Sequence, residues 1–131
     1  MAGNDRAGHS GFSTLVEGPG SGGLKELSTP NPTPQDNYLS GIAPVSGGHN
    51  AWAVGYSQSV ATGNASSLIE FGSAAGGWKI VPSPDPGAVN QGNTFINAVI
   101  PFASNNVWAV GTFDGASGQR MLILHFTGGA I

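Results

Sequence analysis

The sequence predicts an all-β chain made of repeated units of four short antiparallel strands, and three observations predict it. Asn50-Ala51-Trp52-Ala53-Val54-Gly55 returns as Asn106-Val107-Trp108-Ala109-Val110-Gly111, 56 positions later. Repetition at a fixed period dictates architecture before any single segment does. The apolar segments are four to seven residues long and bounded by Gly, Pro, Asn or Ser, the signature of strands joined by turns. No window keeps a 3.6-residue apolar period long enough for a helix. Composition agrees: 22 Gly and 9 Pro in 131 residues, with 8% charged residues, suit neither a helical bundle nor a charged disordered chain.

Residues 1–11 are polar and glycine-rich without periodicity and are expected to be a flexible leader. Residues 12–38 read as a partial first unit: the strand Thr14-Leu15-Val16-Glu17, then Leu24-Lys25-Glu26-Leu27 after a Gly-Gly pair, then the proline loop Pro30-Asn31-Pro32. Residues 39–87 form a complete unit, with strands at Leu39–Val45, Asn50–Gly55, Ser67–Phe71 and Trp78–Val81, closed by Pro84-Asp85-Pro86. Residues 88–131 form a second, incomplete unit with strands at Ile96–Phe102, Asn106–Gly111 and Met121–Phe126. Pro44 and Pro101 stand at an offset of 57, and one residue fewer in the turn after Pro101 restores 56. Proline donates no ladder bond, so prolines closing a fourth strand stop pairing at the rim.

Side chains alternate faces along a strand. Trp52, Val54 and Tyr56 therefore share one face, and Ala51, Ala53 and Gly55 the other; Trp108 and Val110 likewise oppose Ala109 and Gly111. A bulky face needs a bare face to settle into, and the neighbouring unit offers one. Trp52, Val54, Trp108 and Val110 are thus predicted to pack between units. Each indole removed from water accounts for about 150–250 Å², or several kcal/mol at about 25 cal/mol per Å².

The strings "N-x-W-A-V-G" at 50–55 and 106–111, "L-I-E-F" at 68–71 and "W-x-x-V-P-S-P-x-P-G" at 78–87 resemble bacterial β-propeller repeats of long, often exported proteins, distantly kelch- and WD40-like. The resemblance implies a radial array of four-stranded blades and a non-catalytic binding or scaffold role. The first unit departs from it, with Leu24 in place of tryptophan and Gly18 in place of Phe71. The chain offers about two blades where closed propellers have four to eight. Two blades alone would leave both large apolar faces in water. The expected partners are therefore copies of the same chain, joined head to tail into a ring of two to four chains or an open filament. A longer chain supplying the remaining blades is the alternative.

Chemistry is sparse. The four basic residues Arg6, Lys25, Lys79 and Arg120 make no patch for nucleic acid. His9, His49 and His125 lack metal-ligand spacing. No Gly-x-Ser-x-Gly elbow or paired carboxylates appear, and Gly18–Gly23 lacks the Gly-Lys-Ser/Thr ending of a phosphate loop. The chain is therefore not expected to be an enzyme, and no cofactor or metal is expected. No apolar run reaches the length of a membrane span.

An alternative function is a multivalent carbohydrate-binding propeller, with Trp78 as an exposed stacking platform near the rim. Its polar contacts would be Asp36 and Asn37 in the loop Pro32–Tyr38, with Asp85, Asn90 and Asn93 around the loop Pro86–Thr94. A third reading is an accessory domain of a larger exported enzyme. Low charge and Asn/Ser/Gly-rich loops favour an extracellular or cell-surface setting, although Met1–Arg6 lacks the apolar stretch of a secretory signal.

Overall fold

The computed structural model describes residues 2–5, 12–20, 22–32 and 35–128. Among the described residues ten strands follow one another: β1 (Ala2–Asp5), β2 (Ser13–Gly20), β3 (Gly23–Leu27), β4 (Gln35–Pro44), β5 (Asn50–Ser59), β6 (Ala65–Ser73), β7 (Gly77–Ile80), β8 (Thr94–Ala103), β9 (Asn106–Gly115) and β10 (Gly118–Phe126). They form three antiparallel sheets in sequence order: β1-β2-β3, β4-β5-β6-β7 and β8-β9-β10. The second sheet has four strands, and the first and third have three.

Two elements differ from the sequence reading. Residues 2–5, expected within a flexible leader, form β1 and pair with β2 from Ala2↔Val16 to Asp5↔Ser13. Ladder bonds are made by the backbone, so an exposed strand edge recruits a segment with no apolar period of its own. Residues 6–11 of that leader lie outside the described residues. The second difference is a 3-10 turn at Pro86–Asn90, started by proline and ended by Gln91 in the left-handed region at φ 52°. Five residues are too few to display a helical period.

The sheets stack face to face. Strand β4 lies across β1 and β2, and β8 lies across β4, β5 and β6. Between the first two sheets the core is Val16, Leu39, Ala53 and Leu68, flanked by Leu27, Ile42 and Trp78. Between the second and third it includes Trp52, Val54, Ile69, Ile96, Val99 and Ala109. Bulky side chains of the second sheet thus meet alanine and β-branched residues of the third together with Leu122, Leu124 and Phe126.

The first strands of the last two sheets carry the same irregularity. The β4–β5 register shifts between Leu39 and Gly41, and the β8–β9 register between Ile96 and Ala98. Each bulge presses its strand onto the glycine opposite: a methyl group at Gly55 would overlap the Tyr38 carbonyl oxygen, and one at Gly111 the Phe95 carbonyl oxygen. The glycine ending each "WAVG" string is therefore required by a close approach of two backbones.

Candidate functional site

Ladder registers define which residues correspond between sheets. Trp52 sits between Ala43 and Phe71, and Trp108 between Ile100 and His125. Val54 sits between Gly41 and Ile69, and Val110 between Ala98 and Ile123. In the second sheet this face is covered by the third. Trp52 lies against Phe71 at 4.9 Å and against Phe126 of β10 at 5.2 Å, both tilted.

In the third sheet the same face is open. Trp52 is 1% exposed and Val54 0%, whereas Trp108 is 38% and Val110 43%. Trp108 and Val110, expected to pack between units, therefore face solvent. The reason is positional: among the described residues no strand follows to cover them. Ile100, Met121 and Ile123 extend the patch. His125 takes the place of Phe71 and stacks on Trp108, with centroids 3.9 Å apart and planes 11° apart, its Nε2 2.9 Å from Asn106 Oδ1. Monomeric proteins rarely leave so continuous an apolar face in water, so it is the principal candidate for an interaction surface.

The residues predicted for sugar contacts have the following surroundings within the chain. Trp78 is half-buried rather than a free platform. Its ring lies over the bare Cα of Gly72, and its Nε1 is buried with no acceptor among the described residues. Asn37 is buried, donating through Nδ2 to the carbonyls of Pro32 and Gln35 and accepting from Ser57 Oγ at 2.7 Å. Asp85 is half-buried before the 3-10 turn, and its Oδ1 is buried without a hydrogen bond among the described residues. Asn90 ends that turn, and its side chain is outside what the structure describes.

Asp36 and Asn93 hold equivalent places and do the same work. Asp36 Oδ1 accepts the Phe12 N–H at 2.7 Å, and Asn93 Oδ1 accepts the Ala65 N–H at 2.8 Å. Each ties the first strand of one sheet to the sheet before it. Asn93 also donates through its backbone N–H and Nδ2 to Asp114 Oδ2, both at 2.9 Å. A hydroxyl pair repeats beside each clip: Thr14 with Thr29 at 2.6 Å, and Ser67 with Ser83 at 2.8 Å. Asp36→Asn should change stability by less than about 0.5 kcal/mol, because an amide oxygen already fills the role at 93. Asn93→Ala, which leaves the Ala65 donor without its acceptor, should cost about 1–3 kcal/mol in urea unfolding.

Glu70 holds the repeat position of Glu17. The structure buries it completely, with neither carboxylate oxygen hydrogen-bonded among the described residues. Desolvation pushes its carboxyl up to about 8. The signal was its parity: Glu70 stands opposite Ala53, on the face that packs against the first sheet. Strands covered on both faces leave neither parity to water.

Among the described residues no group of three or more His, Cys, Asp or Glu could hold a metal ion. No described helix is long and apolar enough to cross a membrane. Comparison with protein-family models, with curated proteins and with solved structures finds no match for this chain.

Proposed function

We propose that the chain is a non-enzymatic interaction module that stacks head to tail on copies of itself, each sheet acting as a blade of a propeller-type ring or filament. One observation carries this reading. The third sheet exposes the same cross-strand set that the second sheet buries inside the chain, Trp108 and Val110 repeating Trp52 and Val54. The surface that covers Trp52 within the chain is the opposite face of the next sheet. The first sheet turns that same kind of face outward, with Leu24, at the place of Trp78, 67% exposed. One end of the chain therefore offers a bulky face and the other a barer one. Contacts between unlike surfaces propagate until a ring closes.

Light scattering on purified protein tests this. The chain should run at an integral multiple of its own mass at micromolar concentration. Val110→Lys, which sets an ammonium in the middle of the open face, should run as a monomer with an unchanged circular dichroism spectrum. A wild-type chain that stays monomeric and folded at these concentrations overturns the proposal.

A further inference from the structure

We propose that the seam between the first and second sheets is a pH-operated latch. Glu70 keeps it shut while protonated, and loss of that proton releases the first sheet while the second and third sheets stay packed together. This goes beyond a loss of overall stability, because it names the part of the chain that lets go.

Glu70 is 0% exposed and stands between Ala53 and Ile80 in the ladder, on the face it shares with Leu68 and Gly72. That face meets the first sheet in a core of Val16, Leu39, Ala53 and Leu68, flanked by Leu27, Ile42 and Trp78. Neither carboxyl oxygen has a hydrogen-bond partner among the described residues, and neither has the Trp78 Nε1 of the neighbouring strand. Ionising a carboxyl in such surroundings costs far more than leaving it protonated. The other seam shows the apolar alternative: Leu124 holds the place of Glu70 and packs against the core.

Nearby charges do not offset the burial. On the facing side of the first sheet, β2 carries Thr14, Val16 and Gly18, and β3 carries Leu27 and Lys25. Lys25 is exposed, opposite Gly18. Glu17 and Glu26 stand opposite each other on the far side of that sheet, and Asp5 of β1 pairs with Ser13 in that same parity. Within the second sheet, β5 adds Ala51, Ala53 and Gly55 to the face of Glu70, and Lys79 of β7 belongs to the other face. Asp36 of β4 accepts the Phe12 N–H. Desolvation is thus the cause that pushes the Glu70 carboxyl up to about 8.

This seam is also the easier of the two to part. Its core holds four buried residues against eight in the next seam, where Trp52 packs on the Phe126 ring. Phe12 ties the first sheet to β4, donating to Asp36 Oδ1 at 2.7 Å and accepting the Asn37 N–H at 2.8 Å. Parting here gives the carboxylate water and leaves the larger core intact, so the ionised chain opens at this seam before it unfolds as a whole. The carboxyl titrates near 4.5 when the seam is open and about 8 when it is closed, so closure is most favoured below pH 4.5 and weakens as pH rises. The opening constant grows about tenfold per unit between these values, about 50–100-fold from pH 5 to pH 7, and levels off above pH 8.

Native-state hydrogen exchange across a series of low urea concentrations tests the latch, with rates corrected for the intrinsic effect of pH. The Val110→Lys background is used so that stacking between copies adds no protection. The β2 and β3 amides should exchange through an opening less sensitive to urea than the one that frees β8 and β9. That opening should grow about 50–100-fold from pH 5 to pH 7, and Glu70→Leu or Glu70→Gln should hold the change under about threefold. Glutamine keeps the size and polarity of the side chain without its titration, so it separates charge from packing. One common opening for all three sheets at both pH values would overturn the latch. So would β2 and β3 openings that ignore pH when Glu70 is present, or that keep their pH dependence in both variants.

Discussion

Trp52→Ala is expected to cost about 3–5 kcal/mol of unfolding free energy, while Trp108→Ala costs about 1 kcal/mol or less. The two residues stand in nearly identical hexapeptides, so local propensity does not distinguish them. Their surroundings do. Trp52 is enclosed by Val54, Ile69, Ile96, Val99 and the Phe126 ring, and its removal leaves a cavity that two rigid sheets cannot close. Trp108 already meets solvent on its outer face and loses mainly its stack on His125. Small domains hold only about 5–15 kcal/mol in total, so the first change consumes a large share of the stability. Both should be measured by urea unfolding in the Val110→Lys background, since self-association makes apparent stability depend on concentration. In the wild-type background Trp108→Ala should instead weaken association. Equal destabilisation by the two changes would contradict the assignment of buried and open faces.

The second large effect is at Glu70 and depends on pH. Its carboxyl titrates near 4.5 when the chain is unfolded and about 8 when folded. Below about pH 4.5 both states hold the proton, and the residue contributes no pH dependence. Between these values the folded state keeps a proton that the unfolded state releases, so stability falls as pH rises, by about 1.4 kcal/mol per unit. From pH 5 to pH 7 the loss is about 2–3 kcal/mol, and above pH 8 it levels off. Glu70→Leu should remove this slope and stabilise the fold by about 2–3 kcal/mol at pH 7. The third sheet supports the substitution, because Leu124 holds the position of Glu70 and packs against the core. Glu70→Gln should flatten the slope in the same way while keeping the cost of an unpaired polar group. A wild-type chain whose unfolding midpoint is flat or rising between pH 5 and pH 7 would show that the carboxyl is solvated or paired.

Much of the fold was legible because it is written in short-range terms. The strands after residue 12 announce themselves by β-branched and aromatic residues between glycine and proline, and the alternation in Trp52-Ala53-Val54 states which side chains share a face. Even the requirement for Gly55 and Gly111 is visible as a repeated letter, although its cause, a bulge in the strand paired directly beside each, is not. Strand β1 escaped notice because pairing uses backbone groups that every non-proline residue carries. Asp36 and Asn93 are loop residues whose type suits sugars and backbone donors equally, and that they accept from the Phe12 and Ala65 amides is visible only in the structure.

By itself the sequence determined the repeat, the strands within it and the parity of each side chain, since periodicity and turn chemistry act over a few residues. The tertiary structure alone decided which copy of each repeated residue lies in a dry interface. Burial belongs to a pair of surfaces, so Trp52 and Trp108 share their neighbours in the chain and differ in what lies across from them. The same physics encloses Glu70 with no hydrogen-bond partner for its carboxylate among the described residues.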